Sequence, residues 1–354
     1  MTTTIDAAPQ ITYSANKVSP LSVLSLGFGQ DSIAILLRIG KDAAFRRKYA
    51  PGKVLAIFAA TGDEHAETYA LVPFVETFCA EHDIEFVNLT FDKGFHSGPW
   101  SKGLQAFYES NAAIGSQAYP KSCSENLKIA PIYRYLARRI AIDFFDDASL
   151  AKDKNSFYLY EAAYGKLPVL IGIAKGEESR VEKTEPKPCA PCKGVGLIDL
   201  DTRCKACSGT GFKKPRAKWL VECVERRYPL IDVGVDRAAA QAYIASITTQ
   251  KVSPSNCYMC PFKSQIEILW SWMIDPDRFA VWVALEARKI AANTHMNAVI
   301  NPKTGRPENK NFGVFKTKLL PQVLAEAQVK YAGWSREQIE EYRFSHGHCV
   351  ASTY

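Results

Sequence analysis

Short apolar runs alternate with longer amphipathic segments along the first two thirds of the chain. Five runs have the length and apolar character of buried strands: residues 21–26, 53–60, 84–90, 168–173 and 228–233. Helices are predicted between them, at residues 31–49, 67–82 and 125–142. Strands that alternate with helices predict an α/β fold with a doubly wound parallel sheet. Ligands of such a sheet bind at the carboxyl ends of its strands.

Two regions depart from this alternation. Residues 185–215 are rich in Cys, Gly, Lys and Pro and have no apolar period, so we interpret them as an inserted module. Residues beyond 262 are mainly helical, most clearly at 266–273 and 279–292, with a turn-rich loop at 301–311. The predicted organisation is a lead-in at 1–18, a core at 19–184 and 216–262, the insertion at 185–215 and a helical region at 263–354.

Composition is that of an ordinary globular protein, with 47% hydrophobic and 23% charged residues. Apolar runs such as residues 167–173 are far shorter than the ~20 residues that a membrane span needs. The first ten residues have neither a basic nor an apolar region of the kind that signal peptides carry. We therefore expect a cytoplasmic protein with no membrane partner.

The spacing of the cysteines indicates what they bind. Six of the ten form three C-x-x-C pairs. In a chain without a secretion signal this spacing favours metal binding over disulfides.

A glycine-containing loop follows the first predicted strand and leads into the first predicted helix. It consists of Gly27, Phe28, Gly29, Gln30, Asp31 and Ser32. Glycines let the backbone turn sharply and point N–H groups at an anion, and the start of a helix adds partial positive charge. The loop matches neither G-x-x-x-x-G-K-[ST] nor G-x-G-x-x-G. The simpler alternative is that Asp31 and Ser32 only begin the helix.

The order Gly29-Gln30-Asp31-Ser32 resembles the PP-loop, S-G-G-x-D-S, of ATP pyrophosphatases, with Gly27 at the usual Ser and Phe28 at the first Gly. Further stretches follow in the order found in phosphoadenosine phosphosulfate (PAPS) reductase-like proteins. They are 61–68 (TGDEHAET), similar to D-T-G-x-x-x-x-E-T; 123–131 (CSENLKIAP), similar to C-x-x-x-[RK]-K-x-x-P; 172–180 (GIAKGEESR), similar to G-x-[RT]-x-x-E-S-x-R; and the closing segments 228–230 and 257–262. Together they span about residues 20–290, and the chain resembles the PAPS reductase-like branch of the PP-loop superfamily.

This resemblance implies an adenine nucleotide alpha hydrolase-like fold and attack on the α-phosphate of ATP or another adenine nucleotide. It gives the loop residues 27–32 the role of gripping the phosphates, with Asp31 and Ser32 in the reaction. Lys128 and Arg180 would clamp phosphates, and Asp63 and Glu177 would bind Mg²⁺, since hard cations take carboxylate oxygen. The alternative for Lys128 is a surface residue on an amphipathic helix.

Cys123, Cys257 and Cys260 lie in segments that meet at the active site in this superfamily. The resemblance to APS reductases implies a [4Fe–4S] cluster, but Ser122 replaces one ligand of the Cys-Cys pair. Three cysteines could hold a cluster with one open iron, or Cys223 or Cys349 could complete a four-cysteine site for iron–sulfur or zinc. A further alternative is that Cys123 only packs and the C-x-x-C pair caps a loop.

The insertion repeats C-x-x-C-x-G-x-G, with Cys189 and Cys192 in the first copy and Cys204 and Cys207 in the second. This resembles half of the zinc module of DnaJ-type chaperones and predicts a closed Zn²⁺ site of four thiolates. Residues 175–218 hold eleven Lys/Arg against six Asp/Glu, a sum of +5 that falls to about +3 with zinc bound. The basic residues Lys213, Lys214, Arg216 and Lys218 could contact a polynucleotide, or this surface is simply solvated.

The leading hypothesis is an adenylating enzyme that acts in sulfur transfer or in modification of DNA or tRNA. One alternative is a nucleic-acid-binding zinc protein with a degenerate PP-loop core. The other is a PAPS or APS reductase proper, disfavoured because the chain ends in SHGHCVASTY and lacks E-C-G-[IL]-H. A homodimer is a possible assembly that the sequence leaves open.

Overall fold

The structure is a computed structural model that describes residues 17–119, 121–181, 188–199, 202–207, 209–211 and 217–346. Its centre is a five-stranded parallel sheet with the order β3-β2-β1-β4-β5. The strands are β1 Leu21–Ser25, β2 Lys53–Ala59, β3 Ile84–Leu89, β4 Leu167–Ile171 and β5 Val224–Arg227. The predicted α/β class with a parallel sheet is confirmed.

Both faces of the sheet are buried, because neighbouring residues of each strand point to opposite sides. On β1, Leu24 belongs to one hydrophobic cluster, and Leu21 and Val23 belong to the other. The first cluster takes Leu36 and its neighbours from the helix that follows β1. The second takes Leu136 from the long helix between β3 and β4. Helices therefore cover the sheet on both sides.

Fifteen α-helices are present in the described ranges, and none is both long and apolar enough to cross a membrane. They are α1 Gln30–Lys41, α2 Ala43–Tyr49, α3 Ala66–Tyr69, α4 Val72–Glu81, α5 Leu104–Asn111, α6 Ser122–Ser124, α7 Ala130–Phe145, α8 Asn155–Tyr164, α9 Lys218–Cys223, α10 Pro229–Asp232, α11 Arg237–Ile247, α12 Gln265–Ile274, α13 Pro276–Ala292, α14 Leu320–Lys330 and α15 Arg336–His346.

Two predicted helices are divided in the structure. Asp42 interrupts the segment predicted at 31–49, because its backbone is extended and its carboxylate accepts the N–H groups of Ala44 and Phe45, each at 2.9 Å. Residues 67–82 form α3 and then α4, with Pro73 in the first turn of α4.

The strand predicted at 228–233 is wrong. Residues 224–227 form β5, and α10 begins directly after Tyr228. Pro229 explains the difference, since proline has no N–H for a sheet and its φ suits the first turn of a helix. The sequence pattern did not indicate β5 because this strand is mostly charged. Its Arg227 is nevertheless buried and donates to the carbonyl of Tyr49 at 2.9 Å.

The region after residue 262 is mainly helical, as expected. A capping box of Ser264 and Glu267 begins α12. The loop predicted at 301–311 contains a small hairpin, in which β6 Val299–Ile300 pairs with β7 Pro307–Glu308. The proposed domain boundaries stay predictions.

One buried ion pair ties this helical region to the sheet. Asp63 follows β2 and is fully buried; its carboxylate accepts the N–H of Met259 at 2.8 Å and pairs with Arg278 of α13 at 2.7 Å. A backbone bridge joins its neighbour Glu64 to Cys257. The C-x-x-C segment is thus held against the carboxyl end of β2.

Arg278→Met should destabilise the fold by about 3–5 kcal/mol at pH 8, because it leaves a buried carboxylate without its partner. Burial already raises the pKa of Asp63 to about 6, against the lowering effect of Arg278. In the variant, the pKa of Asp63 should rise further. The variant's loss of unfolding free energy should therefore become smaller as pH falls to 5 and Asp63 takes up a proton.

Urea unfolding from pH 5 to 8 measures this difference. The matched control is Arg288→Met on the same helix, since Arg288 donates to the carbonyls of Tyr108 and Glu109. Its cost should not vary with pH. Equal pH profiles for the two variants would contradict the account of Asp63.

A basic cavity and a four-cysteine cluster

A cavity of about 640 Å³ opens at the carboxyl ends of β1, β2 and β4. Ser25, Ala59 and Ile171, the last residues of these strands, line it. Seven basic side chains line the cavity against two acidic ones, Asp31 and Glu125. The basic residues are Lys121, Lys128, Arg134, Lys154, Arg180, Arg226 and Arg237. This excess of positive charge favours an anionic ligand.

The glycine loop forms one wall of this cavity. The Ser32 hydroxyl accepts the N–H of Gly27 at 3.2 Å and donates to the carbonyl of Gly29 at 3.0 Å, which closes the loop on itself. Gly29 is the N-cap of α1 and has no side chain to satisfy the first N–H groups of the helix. Gly29, Gln30, Asp31 and Ser32 all line the cavity, so the first turn of α1 is available to an anion there.

Phe28 occupies a backbone conformation that normally favours glycine. Its φ is +56°, in the left-handed region, which costs a non-glycine residue roughly 1–2 kcal/mol. Its ring is fully buried and packs edge-on against Phe58, with ring centroids 4.5 Å apart. The substitution therefore keeps the turn, but the side chain points into the core and does not reach the cavity, as the predicted ligand-contact role would require.

The chain just after β4 lies in close contact with the same loop. A Cβ atom at Gly172 would lie 2.7 Å from the backbone nitrogen of Ser32, and this backbone has no room to move. A Cβ atom at Gly29 would meet the Ser255 hydroxyl at 2.8 Å. Glycine at position 172 is therefore a requirement of the close approach between the two chain segments that bound the cavity.

Asp31 is the acidic residue of the glycine loop. In the described part of the chain its Oδ1 atom is buried without a hydrogen-bond partner, as is Oε1 of Gln30. Burial raises the pKa of Asp31 to about 6, with Arg237 lowering it and Glu177 raising it. Such a carboxyl changes its charge within the range of physiological pH.

Arg180 and Arg237 are positioned by Glu177. One Glu177 oxygen pairs with Arg180 and the other pairs with Arg237 at 2.5 Å. Both guanidinium groups line the cavity, whereas Glu177 does not. Glu177 therefore orients the two arginines, and the phosphate-binding role of Arg180 stays a prediction.

Lys128 lies in a π-helical segment, Glu125–Ile129, that continues into α7. Pro131 follows and has no N–H, so it cannot donate the backbone hydrogen bond to the carbonyl four residues earlier that a regular α-helix would have here. The Lys128 ammonium pairs with the fully buried carboxylate of Glu64 at 2.8 Å. Lys128 therefore faces the cavity from a fixed position, which disfavours the alternative of an ordinary surface residue.

The predicted Mg²⁺ ligands do not fit this arrangement. Both oxygens of Asp63 are engaged, by Arg278 and by the N–H of Met259, and Asp63 does not line the cavity. Both oxygens of Glu177 are engaged by arginines. Neither carboxylate is presented to a cation.

Cys123, Cys257 and Cys260 line the same cavity. Burial raises the pKa of Tyr108 well above its usual value, and all three sulfur atoms add to that shift, so they lie within electrostatic reach of one hydroxyl. They are too far apart to surround a single ion: within the described ranges, only one group of three or more potential ligands has all its atoms within 4.8 Å, and it is in the insertion. The Cys257 thiol donates to Thr61 Oγ1 at 3.5 Å. A shared zinc ion is thereby disfavoured, while an iron–sulfur cluster, which spans a greater width, stays a prediction.

The four cysteines of the insertion come together as predicted. Sγ of Cys189 lies 3.8 Å from that of Cys204, Sγ of Cys192 lies 3.7 Å from that of Cys207, and all four are buried. The N–H of Gly196 donates to Cys192 at 3.2 Å, and the N–H of Gly211 donates to Cys207 at 3.3 Å. Four buried sulfur atoms stabilised by backbone donors could hold a tetrahedral metal ion such as Zn²⁺.

Several of the sequence predictions fall outside the described residues. They are Lys213, Lys214, Arg216 and Cys349. The sequence analysis in turn missed Glu64, Arg226 and Arg237. Glu64 stands within the quoted 61–68 motif, so its position could have suggested it. Arg226 lies in β5, a strand that the sequence did not predict, and Arg237 begins α11, so neither carried such a signal.

Comparison with protein-family models, with curated proteins and with solved structures finds no match for this chain.

Replacing Cys189 and Cys204 together by Ser should abolish binding of one zinc ion per chain and increase hydrogen exchange over residues 188–211, because the module has little else to hold it. Elemental analysis and exchange mass spectrometry measure both effects. Cys79→Ser, at a buried thiol of the core, is the control and should keep the zinc. A wild-type protein purified without metal at this site would refute the assignment.

Asp31→Asn should stabilise the fold at pH 7. The folded-state pKa of Asp31 is raised from 3.8 to about 6, so the carboxyl destabilises the fold when it is ionised. This penalty is absent below pH 3.8 and grows as pH rises through 6, to on the order of 3 kcal/mol. Urea unfolding from pH 4 to 8 should show a gain for the variant that grows with pH.

Asp147→Asn is the control for this experiment. The Ser149 hydroxyl lowers the pKa of this exposed carboxyl, so its removal should act with the opposite sign. A pH-independent effect of Asp31→Asn would mean that Asp31 is ionised without cost.

Proposed function

We propose that this protein is an ATP-using enzyme of the PP-loop type that acts at the α-phosphate of an adenine nucleotide. The observation that carries the proposal is the placement of the glycine loop: it opens α1 inside a cavity lined by seven basic side chains and two acidic ones. Backbone N–H groups and fixed cations around one cavity are the arrangement that phosphate groups require.

The topology supports the same interpretation. Chain order runs outward from β1 through β2 and β3 on one side and through β4 and β5 on the other. With helices on both faces, this order is the one expected of a doubly wound sheet, whose topological switch point would be the crevice between β1 and β4. Gly29 lies just beyond β1 and Gly172 just beyond β4, so the loop occupies that crevice.

The chemistry assigned to the cavity is transfer of an adenylyl group. An oxygen nucleophile of the acceptor attacks the α-phosphorus, and the bond to the leaving pyrophosphate breaks. N–H groups of the first turn of α1 stabilise charge on the phosphate oxygens, and Arg180 and Arg237 neutralise the leaving group. Mg²⁺, when bound, would supply further charge neutralisation, and Asp31 is the loop carboxylate that could hold it.

The thiol-lined wall favours sulfur transfer over adenylation alone. Cys123, Cys257 and Cys260 share the cavity with the loop, so sulfur chemistry and phosphate chemistry would take place in one chamber. Whether these thiols act directly or hold an iron–sulfur cluster is decided by anaerobic iron and sulfide analysis. The alternative of a degenerate core is weakened, because Phe28 retains the left-handed turn.

ATP should bind to the wild-type protein, and Arg180→Gln and Gly172→Ala should each weaken binding tenfold or more, or by about 1.4 kcal/mol. Arg180→Gln removes a cation from the cavity, and Gly172→Ala forces the backbone of Ser32 to move. Isothermal titration calorimetry measures the affinity.

Gly98→Ala is the matched control, since a Cβ atom there meets nothing within 4 Å. It should bind ATP as the wild type does. Absence of ATP, AMP and pyrophosphate binding to the wild-type protein would overturn the proposal, and equal affinities for all variants would place the nucleotide elsewhere.

A further inference from the structure

A second groove, of about 640 Å³, lies on the surface beside the cavity. Tyr331, Tyr342 and His346 line it, together with Lys330 and Arg237. We call it the aromatic groove.

Three of these residues carry rings in a continuous series, which Trp334 completes from outside the groove lining by contacting both Tyr331 and Tyr342. Tyr331 contacts Trp334 at 5.3 Å between ring centroids, Trp334 contacts Tyr342 at 5.8 Å, and Tyr342 stacks on His346 at 4.2 Å with the two planes 11° apart. Trp334 is 40% exposed and Tyr342 38%. The similarly stacked pair of Trp100 and Phe107 lies against a hydrophobic cluster, with Trp100 buried. Exposed rings in series are unusual for residues that serve only to pack.

Two cations and one carboxylate line the groove, a sum of +1. Lys330 and Arg237 line the groove, and its one carboxylate, Glu177, pairs with Arg180 and Arg237. Cations spaced among exposed rings are the pattern by which proteins hold a polynucleotide strand, with bases on the rings and phosphates on the cations.

The groove leads to the basic cavity. Arg237 lines both. The carbonyl of Phe344, beside the groove, accepts hydrogen bonds from Gln30 at 3.2 Å and from Gln241 at 2.8 Å. A strand lying in the groove would therefore pass next to the loop at the start of α1.

We propose that the aromatic groove binds single-stranded nucleic acid and directs a base of that strand toward the cavity. This deepens the proposed function by naming the acceptor as a polynucleotide. The strand must be single, because the base faces of a duplex are already stacked on each other and cannot pack on Trp334 or Tyr342.

The test is fluorescence anisotropy of labelled oligo(dT) and oligo(U) of about twelve nucleotides, without ATP. Trp334→Ala and Tyr342→Ala should each weaken binding about 5- to 150-fold, the range for losing one stacked base. Lys330→Ala should lower the slope of log affinity against log salt by about 0.7, the value for one phosphate contact on a single strand. The tighter of the two oligonucleotides distinguishes a DNA strand from an RNA strand.

Trp272→Ala is the control, since Trp272 is 37% exposed but, unlike Trp334, does not belong to the ring series of Tyr331, Trp334, Tyr342 and His346. It should change the affinity less than twofold. A duplex that binds as tightly as the single strand, or full binding by both groove variants, would overturn the proposal. No binding of either oligonucleotide would also overturn it and leave a protein or peptide as the occupant of the rings.

The outcome is independent of the nucleotide proposal. Gly172→Ala, which is expected to weaken ATP binding, should bind the oligonucleotides as the wild type does. If oligo(dT) binds but ATP does not, the proposed function is wrong and the proposal for the groove is supported. If ATP binds but neither oligonucleotide does, only the proposal for the groove is wrong.

Discussion

The site depends on carboxylates that stand behind the cations of the cavity. Seven basic side chains around one cavity would repel one another and would not keep fixed positions in the absence of a ligand. Glu64 pairs with Lys128 from a fully buried position, and Glu177 pairs with both Arg180 and Arg237. Because these carboxylates do not themselves line the cavity, the cations can be held in place while their charge still faces an anion.

Two neighbouring carboxylates also join the cavity to the rest of the fold. Asp63 and Glu64 are consecutive residues at the end of β2: one anchors α13 through Arg278, and the other anchors Lys128. The backbone bridge from Glu64 to Cys257 then places the C-x-x-C segment on the cavity wall. Lys128 and the C-x-x-C thiols are therefore neighbours on the cavity wall, because one short turn after β2 holds both.

The sequence predicted four of the five strands. Three of them, β1, β2 and β4, are buried almost throughout and mostly apolar, as strands inside a parallel sheet are, and the edge strand β3 keeps four apolar residues in six. The prediction failed at β5, an edge strand with three charged residues in four, Glu225, Arg226 and Arg227. The four-cysteine cluster followed from spacing, since C-x-x-C with glycines has a local geometry. The roles of Asp63 and Glu177 could not be predicted, because a motif identifies a carboxylate but not the distant arginine that engages it.

A crystal structure with bound ATP, or with AMP and pyrophosphate, tests the central claim most directly. The account predicts phosphate oxygens within hydrogen-bond distance of the backbone N–H groups of Gly29, Gln30, Asp31 or Ser32, with Arg180 on the pyrophosphate portion. A nucleotide bound elsewhere on the chain, with the loop at the start of α1 untouched, would contradict it.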